Sequence, residues 1–353
     1  GPSVPHKGEA YLREHPYVNI LVRGEGEATF LELCLSLLQS GPLGVLRDIG
    51  RVDGLSFLGS DGVYVETTER HRARDMDVFP SPLLAGTLDK IVTTYPYEWN
   101  LVWETNRGCP WKCSYCFWGA NVGAQKLGKV GMERLEAEMD WMARNKIPFV
   151  YGGDANGGIV ARDLDIVKGL VSRKAETGYP QRFFTNYTKG AGHRFRVFEM
   201  VKILSAADMC KGATLSFQSL SEAALENVQR DNIRLDVYAD LQRMYTEAGI
   251  FSYHEMILGL PGETLASFCA GLDTLIDAGA STGLFVYLCR VLPNTEMADP
   301  EYLKKHGITT RRMPIQSSHA NLVQADVGPP EYEDTIISTT PLPLEDWMTA
   351  VEV

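Results

Sequence analysis

From Trp99 onward the chain alternates short β-prone runs with amphipathic helical ones, and this alternation limits its fold more than any other feature. The spacing predicts strands at 100–104, 149–153, 182–187, 213–218, 252–258 and 283–290. Apolar residues at helical intervals predict helices at 132–144, 163–176, 195–206, 221–228 with 236–248, and 265–277. Repeated strand–helix units imply a parallel sheet with right-handed crossovers. The fold class is α/β, and a curved, incomplete barrel suits the pattern as well as an open sheet does.

A length of 353 residues allows about two domains. Upstream, Val18-Asn19-Ile20-Leu21-Val22-Arg23 reads as a short buried strand, Gly24-Glu25-Gly26-Glu27 as a turn, and 29–39 as a helix. One such unit cannot bury both faces of its strand. It either docks on the next domain or pairs with strands further upstream. Residues 41–97, rich in Gly, Pro and Asp, read as an extended connector with a small hairpin near 62–66. Phe79-Pro80-Ser81-Pro82 cannot be regular helix. Beyond Pro293 the chain reads as loop-rich, with a helix start at 343–348. The expected division is 1–47, a connector at 48–97, a core at 98–318, and the start of a C-terminal region at 319–353.

A net charge of −11 without a basic stripe argues against nucleic-acid binding. No run approaches the about 18 apolar residues a membrane span needs. Gly1-Pro2-Ser3-Val4-Pro5 lacks the regions of a signal peptide. Seven cysteines, three of them crowded together, suit a metal or cluster site in a reducing compartment, hence the cytoplasm.

Those three lie in Arg107-Gly108-Cys109-Pro110-Trp111-Lys112-Cys113-Ser114-Tyr115-Cys116-Phe117-Trp118-Gly119, directly after the first core strand. Ligands of parallel α/β units bind at that end of a strand. Thiolates ligate iron–sulfur clusters, and a four-iron cubane needs four ligands. Cys109, Cys113 and Cys116 supply three, while Cys34, Cys210, Cys269 and Cys289 are scattered. A cluster held this way keeps one iron open, as a catalytic metal site does. A structural zinc site is the rival reading, but neither a nearby His nor a second cysteine hook is present. The fourth cysteine and Cys-Pro ending of a ferredoxin-type carrier are absent too.

The spacing Cys109-x3-Cys113-x-Tyr115-Cys116 resembles the signature of radical S-adenosylmethionine (SAM) enzymes. The resemblance implies a partial (β/α)6 TIM-like barrel and a 4Fe–4S cluster on Cys109, Cys113 and Cys116. The SAM amino and carboxylate groups would take the open iron. Reductive cleavage would release a 5′-deoxyadenosyl radical, fed by an electron donor such as flavodoxin or ferredoxin, to act on a small-molecule substrate. Tyr115 would belong to the cofactor site. Gly152-Gly153-Asp154 is similar to the family's Gly-Gly-Glu motif at the SAM amine, with the shorter Asp; it also reads as a turn that caps the next helix. Ser216 and Gln218 share a strand face, and with Arg230 they match the family's ribose and carboxylate contacts. Internal satisfaction of Gln218 and a surface Arg230 is the plainer alternative. Gly259-Leu260-Pro261-Gly262-Glu263-Thr264 resembles the motif beside the adenine, though it also fits a helix start. Glu255 and Tyr187 are the catalytic candidates, with Tyr287 and Asn321 also expected at the barrel mouth. His254 reads as a core or surface residue.

The segment from His15 to Phe30 resembles the last strand–turn–helix of a Rossmann-type cobalamin-binding domain. Leu292-Pro293-Asn294-Thr295-x-Met297, with Tyr302 and Gly307-Ile308, is also similar to cobalamin-dependent members of the family. The Asp-x-His-x-x-Gly cobalamin loop is absent, so the chain is expected to be truncated at its N-terminus, with cobalamin bound by the full-length protein; the end at Val353, just after a helix start, leads to the expectation of a missing C-terminal part too. The implied reaction is methyl transfer to, or rearrangement or cyclisation of, an unactivated carbon. Alternatives are a cobalamin-independent enzyme such as a methylthiotransferase, and a zinc-stabilised binding module.

Overall fold

A small antiparallel sheet precedes the main one in the computed structural model, which describes residues 4–119, 126–188, 190–210, 212–280, 283–315 and 331–353. The elements begin with α1 (Glu9–Glu14), β1 (Ile20–Val22), α2 (Glu27–Asp48), β2 (Leu55–Leu58) and β3 (Tyr64–Glu66). Ile20 pairs with Phe57, and Phe57 with Val65. The partner of β1 therefore comes from downstream, and the sheet joins residues on both sides of position 47. Leu33, Ile49, Val52, Leu55 and Phe57 form its core. The helix expected to stop at 39 runs through Gly41-Pro42 to Asp48. A proline removes one donor and bends a helix without always ending it.

After α3 (Asp89–Thr94) come β4 (Asn100–Trp103), the short pair β5 (Asn106–Arg107) and β6 (Gly128–Lys129), and α4 (Met132–Arg144). The alternation continues with β7 (Phe149–Gly157), α5 (Asp163–Thr177), β8 (Arg182–Tyr187), α6 (Arg194–Ala206) and β9 (Ala213–Gln218). It closes with α7 (Glu222–Asn227), α8 (Leu235–Glu247), β10 (Ser252–Leu258), α9 (Leu265–Asp277) and β11 (Leu284–Leu288). β4, β7 and β8 form one parallel sheet, and β9, β10 and β11 another. A doubly wound sheet would reverse strand order midway. Here the order follows the chain, as in a barrel. The halves meet where Phe183 N donates to Met209 O at 2.9 Å, and no β11–β4 ladder closes the ring among the described residues. The wall is a partial barrel.

Strand alternation separates two faces. Trp103, Val150 and Phe183 face outward, packing in one core with Leu135, Met139 and Met142 of α4 and Ile166 and Leu170 of α5. Each such side chain contributes about 1.5–3 kcal/mol by leaving water. On the other half, Met256 and Leu258 share a core with Phe268, Leu272 and Leu275 of α9. A capping box starts α9: Ser267 N donates to Thr264 Oγ1 (3.0 Å) and Thr264 N to Ser267 Oγ (2.9 Å). The inner face stays open, with Val102 73% exposed.

His254 lies on the outer face of β10, fully buried, its Nδ1 3.0 Å from the Tyr238 hydroxyl and its Nε2 without a partner. Burial pushes this imidazole down to about 4. A lowered histidine binds its proton more readily in the unfolded chain, so it costs stability as pH falls below about 6.5. Relative to His254→Gln, which does not titrate there, the wild type should lose about 2 kcal/mol between pH 7 and pH 5. Urea midpoints of both proteins at the two pH values measure this, and a constant difference would refute it.

Past β11 the chain is more regular than expected: α10 (Pro300–Lys305), β12 (Thr309–Pro314), β13 (Tyr332–Ser338) and α11 (Leu344–Glu352). β12 and β13 pair antiparallel, so strands from both sides of the expected 318/319 boundary join; the boundary itself lies outside the described residues. Ile336 N donates to Cys289 O (2.9 Å), which ties β13 to the end of β11. Trp347 and Ala350 of α11 enter the α9 core. No helix among the described residues is long and apolar enough to cross a membrane.

Candidate active site

β4 brings the chain to Thr105 and Asn106 at the upper rim, where one buried carboxylate holds it. Asp154, late in β7, accepts from Thr105 N (2.7 Å), Asn106 N (2.9 Å), Asn106 Nδ2 (3.0 Å) and the Thr105 hydroxyl. Burial pushes this carboxyl up to about 6, against the pull of those donors. Four donors match the acceptor capacity of a carboxylate. The Asp expected beside an ammonium group is thus engaged by the chain's own turn. Of its neighbours, Gly152 abuts the Thr185 side chain and Gly153 lies beside Val102.

The cysteine loop follows. Cys109 is buried, with Asn156 Nδ2 donating to its sulfur at 3.3 Å, and Cys116 N donates to Cys113 O at 2.9 Å. Ser114 anchors the middle: its N donates to Val228 O (3.0 Å), its O accepts from Met297 N (2.9 Å), and its hydroxyl lies 3.0 Å from that of Tyr302. Gly119 closes the loop, since a Cβ there would stand 2.0 Å from the Trp111 carbonyl oxygen. Burial pushes the Cys109 and Cys116 thiols up, while the Arg230 charge favours their thiolates.

The donor set suits a cluster better than a single ion. Among the described residues, no three His, Cys, Asp or Glu side chains converge on one metal position. A zinc site requires such convergence, whereas a cubane takes each thiolate on a separate iron. Three thiols on one loop with a cation beside them fit the cubane.

Arg230 draws two of the expected residues together, Tyr115 and Ser216. Its Nη1 donates to the Tyr115 hydroxyl (3.2 Å), its Nη2 to Ser216 O (3.1 Å) and its Nε to Asn232 Oδ1 (3.0 Å). It is therefore not a free surface residue. Burial pushes the Tyr115 hydroxyl well up, so it stays protonated. The Ser216 hydroxyl donates to Glu255 across the β9–β10 pair. A register shift there places Gln218 at φ +69°, a left-handed conformation uncommon outside glycine. At the end of β10, Gly259-Leu260-Pro261-Gly262 is tied down by Asn227 Nδ2 donating to Pro261 O (3.2 Å). Glu263 is buried, held by the Ser219 and Ser267 hydroxyls, and burial pushes it up.

Tyr253 and Phe285 stand edge to face, 5.8 Å apart between centroids, near Glu255. Tyr287 is half exposed in the same wall, and Glu255 helps to raise the hydroxyls of both tyrosines, after burial. Tyr187 lies apart from them. It is buried in the core shared with the outer helices, its hydroxyl without a partner. Asn321 lies outside the described residues.

Sequence reasoning missed a charged cluster at the rim. Arg107 meets Glu104 (2.7 Å), Glu27 (2.9 Å) and Glu25 (3.3 Å), and Arg72 meets Glu25 (3.1 Å). The turn that reads as Gly-Glu-Gly-Glu thus lies against the cysteine loop. The only signal was the run Glu69-Arg70-His71-Arg72-Ala73-Arg74-Asp75 in the connector.

Comparison with known proteins adds a likeness of family and fold. The model of the Radical SAM superfamily matches residues 103–275. The chain is 36% identical over 357 residues to the "Cobalamin-dependent radical SAM methyltransferase TokK" of Streptomyces tokunonensis, covering 99% of this chain and 50% of that protein. It is 36% identical over 359 residues to the "2-(S-pantetheinyl)-carbapenam-3-carboxylate methyltransferase" of Streptantibioticus cattleyicolor, again covering 99% and 50%. The chain therefore spans about half the length of the curated relatives it matches. In fold, it superposes on the radical SAM methyltransferase TsrM from Kitasatospora setae, solved with cobalamin and a 4Fe–4S cluster bound. That TM-score is 0.61 at 19% identity, over 85% of this chain and 57% of the other.

Proposed function

The chain belongs to the Radical SAM superfamily, with the family domain at residues 103–275, and on that premise we propose that the protein cleaves S-adenosylmethionine reductively to drive cobalamin-dependent methyl transfer to an unactivated carbon of a small biosynthetic molecule. The observation that carries this reading is the loop of Cys109, Cys113 and Cys116 at the open rim, linked through Tyr115 to Arg230 and Ser216. With a 4Fe–4S cluster on those thiols, SAM would be reduced to methionine and a 5′-deoxyadenosyl radical, with cobalamin supplying the methyl group.

The chain's own residues do the rest. Asp154 fixes the start of the cysteine loop, and Asn156 donates to Cys109. Arg230 aligns Tyr115 with the inner wall. Gly152, Gly153, Gln218 and the backbone of Gly259, Leu260 and Pro261 lie around the same rim as the surface offered to SAM. Tyr253, Glu255, Phe285 and Tyr287 line the inner wall, where a substrate would present its carbon. A reductant of the flavodoxin or ferredoxin type would supply the electron. A methylthiotransferase has less support, since both relatives matched over 99% of this chain are named methyltransferases.

Anaerobic reconstitution with iron and sulfide, then dithionite and SAM, should release 5′-deoxyadenosine. Bound zinc in place of iron, with no nucleoside released, would refute the reading.

A further inference from the structure

β4 and β11 are the two free ends of the barrel arc, and no ladder joins them among the described residues. The N-terminal unit touches the rim beyond both. Past β4, Arg107 meets Glu27 (2.9 Å) and Glu25 (3.3 Å) at the start of α2. Past β11, the side-chain amide of Asn294 takes the main chain of the segment before α1. His6 N donates to its Oδ1 (2.9 Å), and its Nδ2 donates to Val4 O (2.8 Å). The N-terminal unit therefore spans the opening that strand pairing leaves.

The two attachments differ in strength. On the β4 side the bonds are charge-assisted, and the connector adds Lys129 N donating to Arg74 O at 2.9 Å. The Asn294 bonds join neutral groups, each about half as strong. Gly8 is the fixed point of this segment: its N donates to the Tyr64 hydroxyl (3.3 Å), and a Cβ there would stand 2.3 Å from the Leu21 side chain. Release at Asn294 would leave residues 4–7 to swing about Gly8 with the β4 side still attached. The seat of the latch is firm. Met297 N donates to Ser114 O (2.9 Å), and Gln229 Nε2 to the Glu296 carboxylate (2.7 Å). Asn294 stands at φ +62° after Pro293, a turn position that suits Gly as well as Asn. The turn needs no side-chain amide; the strap does.

We infer that residues 4–7 form a strap across the open side of the barrel, latched by Asn294, that gates the passage of small molecules to the inner wall. Val102 and Tyr287, 73% and 48% exposed, stand on the two sides of that opening. Asn294 is a positioning residue, since it touches the strap and not the reacting groups. His6 and Asn294 both lie outside residues 103–275, so the latch is an addition to the family domain. That SAM is among the molecules gated rests on the radical SAM reading above.

Asn294→Gly keeps the left-handed turn and removes the amide. Trypsin cleavage after Lys7, which is exposed, should quicken by about tenfold, the scale of two neutral hydrogen bonds, because slow cleavage tracks the open population. On iron-loaded holoprotein, stopped-flow mixing with SAM should show entry and exit rates rising by one common factor, with Kd within about twofold, as release of a gate requires. Asn294→Asp keeps the acceptor for His6 N but not the donor, and should fall between Gly and wild type in both readouts. Unchanged cleavage would mean no latch, and faster cleavage with unchanged SAM rates would mean an attachment that gates nothing. A Kd change carried by the exit rate alone would mean damage to the site; each of the three overturns the inference. Wild-type holoprotein that binds no SAM overturns the radical SAM reading and the gating of SAM with it, and the trypsin arm, which needs no cofactor, tells that failure from failure of the latch.

Discussion

Replacing any one of Cys109, Cys113 or Cys116 with alanine should reduce 5′-deoxyadenosine release by roughly 10³-fold or more, the scale on which removal of an essential reacting group is felt. The loop has no spare ligand. Cys289, near by in the fold, is fully buried, and its thiol is pushed up to about 12, so it would not readily replace a lost thiolate. The fold should survive, because Ser114, Gly119 and Asp154 position the loop without the sulfurs. The variants should therefore show near-wild-type circular dichroism with depleted iron and sulfide. Full turnover in any one of them would end the ligand assignment.

Asp154→Ala should act differently, through stability. It strips the partner from two backbone N–H groups and two side-chain donors at a buried turn. Unpaired buried donors cost about 1–3 kcal/mol each, and partial access of water moderates their sum. A loss of about 3 kcal/mol is expected from urea unfolding, together with poor iron incorporation. Asp154→Asn keeps one acceptor oxygen and should lose about half as much. If Asp154 instead served the SAM ammonium, alanine would weaken SAM binding and leave the urea midpoint in place.

Hydrophobic periodicity makes most of the barrel legible in the amino-acid order. Strands 182–187, 213–218 and 252–258 and helices 132–144 and 265–277 coincide with β8, β9, β10, α4 and α9, because each element has one wet face and one dry face. β12 escaped for the converse reason: Thr309 to Arg312 are all exposed, so no alternation exists to read. α10 had a readable start in Asp299-Pro300, a cap followed by proline, overlooked among neighbouring turns.

The site was legible in part. The cysteine loop stands in three residues and their spacing, whereas the occupants of Asp154 are long-range and leave no local trace. Tyr187 illustrates a related ambiguity. Alternation groups β8 into two sets of residues, but not which set looks inward, and Tyr187 belongs to the helix-facing set. Arg72 was hidden because a charge in a connector resembles any solvated charge until its neighbours are known.

The join between β8 and β9 has a mechanical consequence. A continuous ring can admit a bulkier guest only by tearing strand pairing. Here the two plates are pinned near the base, through Phe183 and Met209, with no ladder between them toward the rim among the described residues. The wall has a crease, and along it the two plates are joined by one shared apolar core, Phe183 and Tyr187 with Ala213, Leu241 and Tyr245, in place of a strand ladder.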